Sequence, residues 1–188
     1  MRTKTPQLAD RILEAATRLF ARQRFHEVRM DDIATEADVS KGTLYSYFHD
    51  KDELYLALLA RGSHSLVAAL QRAVEQADSA RGKLIAFVQA VVTFFDDEPH
   101  LFDLVQVVEV LRRSEEFPWQ EARDVAVQLV HQVFDEGRRR GEFRVADPEL
   151  GALLLLGGLR SVLRFGKRPR PRRLAERVVE SILGGVAE

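Results

Sequence analysis

The chain has 188 residues, a formal charge of −1 and no cysteine. That length holds a small domain and a larger second one. The missing cysteine excludes disulfides, thiol nucleophiles and cysteine metal sites, and 28 basic residues against 29 acidic ones leave no whole-chain basic signature of nucleic-acid binding. The first residues lack the apolar core of a signal peptide, and no apolar run reaches the roughly 18 residues of a membrane span. A cytoplasmic protein with no membrane partner is therefore expected.

The pattern along the chain predicts an all-α protein of about nine helices, with no strand and no internal repeat. The first helix, over 7–24, has Ile12, Leu13, Ala16, Leu19 and Phe20 at helical spacing. A short second helix over 31–37 turns Ile33, Ala34 and Ala37 inward, and Asp38-Val39 make a tight turn. The third helix starts at Ser40 and runs to about Phe48. Ser40 is a good N-cap for an amide near Gly42 or Thr43, and Leu44 and Phe48, four apart, enter a core together. Lys41, Thr43, Tyr45, Ser46 and Tyr47 then point elsewhere, so this short helix spends most of its surface on exposed hydrogen-bonding groups. Two short helices joined by such a turn are a helix-turn-helix whose second member enters the DNA major groove. An ordinary hairpin in an all-α protein has the same pattern. Local charge is basic near this element, with Arg2 and Lys4 before the first helix and Lys41 and Lys51 beside the third.

Residues 11–54 read Arg-Ile-Leu-Glu-Ala-Ala-x-x-Leu-Phe, Asp-Asp-Ile-Ala and Val-Ser-Lys-Gly-Thr-Leu-Tyr-x-Tyr-Phe-x-x-Lys-x-x-Leu in that order and spacing. This stretch resembles the DNA-binding domain of the tetracycline-repressor (TetR) family. Weaker echoes are Arg140-Gly141-Glu142-Phe143 and Asp147-Pro148-Glu149. Three positions depart from the family pattern. Arg24 stands where a glycine usually ends the first helix, Arg29 where Thr or Ser usually caps the second, and Asp38 where the turn usually has glycine. The first two each remove about 1 kcal/mol of local stability. Both also add positive charge beside the groove-reading helix; drift in a tolerant scaffold is the other explanation. Asp tolerates positive φ better than most residues.

The fourth helix, from Lys51 or Asp52 to about Ala77, joins the two expected domains, 1–50 and 51–188. Leu54, Leu58, Gly62, Leu66, Ala69 and Ala73 form its buried stripe. Ser79 to Gly82 breaks the chain. A fifth helix over 83–96 is apolar nearly all round and belongs at the centre of a bundle. Pro99 opens a sixth, to about Arg113, with Phe102, Val105, Val108 and Leu111. Pro118 opens a seventh, which ends at the Arg138–Gly141 turn. Asp147 followed by Pro148 is a clear start signal for the eighth, and the ninth runs over 171–183.

A helical bundle can bind a small molecule between its helices. Phe87, Phe94, Phe102 and Phe134 supply an apolar wall, and Gln106, Glu109 and His131 are polar breaks in it, each of which can equally be solvated. The missing side chain at Gly62 leaves room for a neighbouring helix or for a ligand. That these residues line an effector pocket is what the resemblance implies, since that family usually has one. The eighth helix, through Leu153 to Gly158, is too apolar to have one solvated face, and its adjacent glycines cost about 1 kcal/mol each against alanine. Close approach of another helix explains them. Leu153, Leu156, Gly157, Arg160, Val178 and Ile182 are the dimer candidates, and in the resembled family these two helices pair with their copies as a four-helix bundle. Burial within one chain is the alternative. Arg160 and Arg164 can grip an anionic group, bridge to a second subunit, or snorkel over apolar neighbours. The Lys167–Arg173 run is a solvated turn or a contact to DNA or an anionic membrane.

None of the five histidines has another at i+3 or i+4, and there is no nucleophile elbow or phosphate loop. No catalytic site, metal or cofactor is expected. The expected protein is a homodimeric DNA-binding transcriptional regulator, a repressor released from a double-stranded operator by a small apolar or amphipathic effector. Lys41, Tyr45 and Ser46, with the bare backbone of Gly42, are the base-edge candidates. Ser40, Thr43, Tyr47 and Lys51 are the phosphate contacts. The resemblance supports these positions one by one, except Arg29, which is added on its charge. The rival reading is a helical small-molecule-binding protein that has lost operator recognition.

Overall fold

The computed structural model describes residues 5–23, 27–111 and 118–184, with the backbone alone over 106–111 and at 118. The expectations placed on Arg2, Lys4, Arg24, and the side chains of Gln106, Val108, Glu109 and Leu111, lie outside the described residues. Among the described residues there are nine helices and no strand: α1 (Pro6–Phe20), α2 (Met30–Glu36), α3 (Lys41–Tyr47), α4 (Lys51–Glu75), α5 (Ala80–Asp97), α6 (Pro99–Leu111), α7 (Pro118–Arg140), α8 (Pro148–Phe165) and α9 (Leu174–Gly184). They pack as two compact units, Met1–Gly62 with Glu98–Pro118, and Ser63–Asp97 with Trp119–Glu188. The division falls inside α4, and α6 belongs with α1–α3.

In the first unit the apolar stripe of α1 does the work its spacing implies. Ile12, Leu13, Ala15, Ala16, Leu19 and Phe20 bury against Val28, Met30, Ile33, Ala34, Leu44, Phe48, Leu54 and Leu58. The turn between α2 and α3 holds Asp38 at φ +52°, the conformation that glycine or a short polar residue takes most cheaply. Ser40 caps α3: its Oγ accepts the Thr43 N–H at 3.1 Å. Arg29 has no oxygen with which to cap α2, yet that end is not bare. The Arg29 N–H donates to the Asp32 carboxylate at 2.9 Å, half of a capping box. The remaining helices of this unit are tied to α4. The Tyr55 hydroxyl donates to the Leu104 carbonyl of α6 at 3.0 Å. The Arg61 guanidinium donates to Thr17 Oγ1 of α1 at 3.1 Å.

In the second unit α5 is central, burying Leu84, Phe87, Val88, Val91, Val92 and Phe95, and it packs against α8 and α9. It begins earlier than the Ser79–Gly82 break suggests. Ser79 Oγ accepts the Gly82 N–H at 3.0 Å, and the Glu142 carboxylate accepts from the amides of Ala80 and Arg81, each at 3.1 Å. Those are orphan amides of a helix start, which an anion satisfies best. Asp147 caps α8 as its sequence implies, accepting the Leu150 N–H at 3.0 Å. The start of α9 is three residues later than expected, because Arg173 sits at φ +56° and cannot continue a helix backwards. The Lys167–Arg173 run is not simply solvated. Arg170, with its side chain 12% exposed, donates to Asp96 through Nε and Nη2 and to the carbonyls of Val162 and Leu163. It caps the end of α8 and anchors it to the end of α5.

Candidate nucleic-acid interface and effector region

The exposed face of α3 is built by its buried one. Leu44 and Phe48 enter the core, which turns Lys41, Gly42, Tyr45 and Ser46 outward, all exposed. Lys41 is not idle there. Its ammonium lies 2.5 Å from Asp31 Oδ2 of α2, and that hydrogen bond holds its pKa above the usual lysine value. At Gly42 an added Cβ would meet only Ser40 Oγ, at 4.0 Å, so the backbone there is open to close approach. The Ser46 hydroxyl donates to the Thr43 carbonyl at 2.6 Å, and the hydroxyls of Ser40 and Thr43 lie 2.7 Å apart.

Of the expected phosphate contacts, Ser40 and Thr43 form the cap, and Tyr47 is half-buried with its hydroxyl accepting the Thr5 N–H at 2.6 Å. That hydroxyl ties the start of α1 to α3. Lys51 is half-buried, and burial lowers its pKa. Arg29 is exposed at the head of α2. Donors from the heads of α2, α3 and α4 thus belong to one folded unit, with an exposed phenol at Tyr45. Such a set can contact phosphates and base edges. Sequence reasoning passed over Asp31, the partner of Lys41; its place in the first turn of α2 was the available signal.

The effector candidates separate. Gly62 and Phe102 lie in the first unit, and Phe87, Phe94, His131 and Phe134 in the second. Phe87 and Phe134 are fully buried core side chains. Phe134 meets Phe143 edge-on at 6.0 Å, and Gly151 makes room beside it. Phe94 and His131 are half-buried, and Phe94 is edge-on to Phe95 at 5.2 Å. The space at Gly62 is filled by the Leu101 side chain, so in this structure the missing side chain serves helix packing. A surface cleft of about 1080 Å³ in the second unit is lined by other residues, among them Arg81, Arg138, Phe143, Arg144 and Leu183. Sequence reasoning also missed His100. It is buried at the start of α6, its Nδ1 has no hydrogen-bond partner among the described residues, and burial, with the positive charge of Arg61, lowers its pKa to about 4.

On α8, Leu153, Gly157 and Arg160 are exposed and Leu156 is half-buried; on α9, Val178 and Ile182 are half-buried. Leu150, Leu154 and Phe165, not singled out from the sequence as dimer residues, are also exposed, and Phe165 reaches 77%. Among the described residues an added Cβ at Gly157 or Gly158 would meet nothing within 4 Å. Among the described residues no group of three or more His, Asp or Glu is placed to hold a metal ion, and no helix is long and apolar enough to cross a membrane.

Comparison with known proteins gives two family matches. Residues 12–58 match the model described as bacterial regulatory proteins, tetR family, and residues 77–186 match the tetracyclin repressor-like C-terminal domain. The HTH-type transcriptional activator FasR of Mycolicibacterium smegmatis is 36% identical over 94 residues, 50% of this chain and 43% of that protein. The match thus spans less than half the length of that relative. A bacterial regulatory protein in the tetR family from Rhodococcus RHA1 superposes with a TM-score of 0.78 at 26% identity, covering 97% of this chain and 98% of the other. FadR of Bacillus subtilis in complex with stearoyl-CoA superposes with a TM-score of 0.75 at 20% identity, covering 94% and 98%. At that identity the likeness is one of fold.

Proposed function

The chain belongs to the tetR family of bacterial regulatory proteins, and from that premise we propose that it is a homodimeric repressor which leaves its operator when a small apolar or amphipathic effector binds. The observation that carries the reading is α3. A seven-residue helix, too short to be stable alone, is held by Leu44 and Phe48 so that Lys41, Gly42, Tyr45 and Ser46 face outward. Lys41, Tyr45 and Ser46 contact base edges, with the Gly42 backbone against them. Ser40, Thr43, Tyr47, Lys51 and Arg29 hold phosphates and fix register.

Release works through the first unit. Arg61 joins α4 to α1, and Tyr55 joins α4 to α6. A displacement of α6 or α4 is thereby carried to α1, on which α2 and α3 are packed. In a dimer this moves two recognition helices away from the spacing of about 34 Å that two successive major grooves require. An effector achieves this only by binding the DNA-incompetent state more tightly. The effector class follows from the aromatic and aliphatic interior. The stearoyl-CoA held by FadR, a protein of the same fold, is a ligand of that amphipathic class. Within the second unit, Phe94 and His131, both half-buried, remain the candidates for contact with the effector.

The dimer forms through α8 and α9. Leu150, Leu153, Leu154, Gly157 and Gly158 lie at i, i+3, i+4, i+7 and i+8, one exposed stripe whose glycines nothing among the described residues requires. The protein acts in the cytoplasm, where its DNA is. The test is a fluorescence-anisotropy titration of the full chain with the duplex upstream of its own coding sequence. Salt-sensitive binding, tighter than to a scrambled duplex, is expected. Equal affinity for both duplexes would favour a small-molecule-binding protein that no longer recognises an operator. Transcription from that duplex should fall on adding the protein; a rise would make it an activator, as FasR is named.

A further inference from the structure

The Lys41 ammonium, the expected guanine reader, lies 2.5 Å from an acid, and both groups are on the outside: their side chains are 68% and 49% exposed. An ion pair so exposed adds little to folding stability. Against DNA the acid is a liability. It cancels the charge of Lys41, and it would itself face phosphates, the groups that dominate affinity. Asp31 also heads a helix that has a second acid, Asp32, in the same turn to favour its positive end. Helix stability therefore does not account for Asp31, and a contact that only a carboxylate satisfies does.

We propose that Asp31 and Lys41 read one G·C base pair of the operator together, the carboxylate accepting from the cytosine N4 amino group and the ammonium donating to guanine O6. The inference rests on the DNA-binding reading above. In the major groove O6 and N4 of one pair are neighbours, because they are hydrogen-bonded to each other. A donor and an acceptor side by side on the protein therefore face an acceptor and a donor side by side on the DNA. Thymine·adenine also offers such neighbours, O4 and N6, but the rest of the edge separates the two cases. Beside guanine O6 lies N7, a second acceptor for the ammonium, and cytosine presents no further acceptor to the carboxylate. In thymine·adenine the extra acceptor, adenine N7, falls on the carboxylate side and repels it, while the ammonium meets the thymine methyl. A guanine on the Lys41 side is thus favoured over all three other pairs.

The experiment selects binding sites from a random duplex library with the full-length wild type, Asp31→Ala and Asp31→Asn, each checked for native helicity by circular dichroism. It then measures affinities for the selected site, its single-pair variants and an unselected duplex over a salt series. The wild type should require one G·C pair in each half-site, with a loss of about ten-fold on replacing it. Asp31→Ala should lose discrimination at that pair alone. It should bind the unselected duplex more tightly, with a salt slope steeper by about 1, because Lys41 is freed for a phosphate. Asp31→Asn, which presents both an acceptor and a donor to an adenine on its own side, should come to tolerate T·A there. If the wild type selects no sequence, the DNA-binding reading falls and the inference with it. If the wild type selects a site and both variants keep the same discrimination at every pair, the inference alone falls. It falls in that case even if affinity for unselected DNA rises, since Asp31 would then only mask Lys41.

Discussion

Leu101 on α6 occupies the place of a side chain at Gly62 on α4: its Cδ1 lies 2.7 Å from an ideal Cβ there. A Cβ makes this contact only if the leucine moves, and a full side chain would force the two helices apart. Gly62→Leu is therefore expected to overpack the first unit and cost about 1–3 kcal/mol, read as a lowered midpoint in urea unfolding. Gly62→Ala should be far milder, since the end of a leucine turns aside easily and alanine favours helix by up to about 1 kcal/mol. The double variant Gly62→Leu with Leu101→Ala should recover much of the loss. No recovery would mean that the clash lies elsewhere.

Arg61 and Thr17 are a second link of the same unit. The bond is part-buried, with a charged donor, and it joins α4 to α1. Hydrogen bonds of this kind contribute about 1.5–3 kcal/mol. Arg61→Met should keep most of the stem packing but lower stability by about 1–2 kcal/mol and raise amide exchange in α1. Unchanged exchange in α1 would show that the link carries no load between the helices.

How much of this was legible in the sequence depended on the distance over which each residue acts. Ser40 and Asp147 cap helices three residues away, and both caps were readable. So was Asp38 at its turn. The buried stripe of α1 was readable because its partners all lie on one face. Gly62 gave the right signal, missing volume, without saying what fills it, because Leu101 lies on another helix. Ser79 looked like part of a break for the same reason: the start of α5 is completed by Glu142, 62 positions along from Ala80. Phe87 and Phe134 looked like pocket walls, and periodicity cannot separate an aromatic core from an aromatic cavity. Arg170 in a basic run looked solvated, since nothing local announces a carboxylate 74 positions away.

That carboxylate is Asp96. Arg170 makes a two-armed contact with it and also holds two carbonyls at the end of α8. Arg170→Met removes all of these bonds, although Arg168, with Nη2 3.5 Å from Asp96 Oδ1, still offers the acid a partner. The expected loss is about 2–4 kcal/mol, below that of stranding a fully buried charge. Thermal unfolding of Arg170→Met against Arg168→Met separates the roles. Equal shifts would mean that the capping bonds at α8 contribute nothing.

His100 gives a dependence on pH. Its pKa is about 4 in the folded chain against an ordinary 6.5, mainly because it is buried and secondarily because Arg61 is nearby. The unfolded chain therefore binds the proton more readily than the folded one. Above about pH 6.5 the histidine is neutral in both states and there is no proton-linked loss. As pH falls from there towards 4, stability is progressively lost, and below 4 the loss levels off because both states are protonated. The full effect is of order 3 kcal/mol at most, less whatever Glu98, 3.4 Å from Nδ1, returns to the protonated ring. His100→Phe should flatten the stability profile between pH 4 and 6.5. An unaltered slope would assign the acid sensitivity to the carboxylates.

The exposed stripe of α8 supplies the last expectation. Leu153 and Leu154 are 52% and 55% exposed in the single chain, and burying what is left of both, counted over the two copies, stabilises association by about 3–6 kcal/mol before its entropic cost. A glutamate at Leu154 costs the folded chain little, because the position is already in water. In a dimer it would sit unpaired in an apolar seam beside its own copy, which is unfavourable by several kcal/mol. Leu154→Glu should therefore sediment as a monomer at micromolar concentration while keeping its helical circular dichroism, and it should lose operator affinity because two half-sites are no longer engaged together. Gly157→Leu should also weaken the dimer, by about 1–3 kcal/mol, if the open space over that glycine is where the partner helix lies. A wild-type chain that sediments as a monomer, or a Leu154→Glu dimer as tight as the wild type, would remove α8 from the interface.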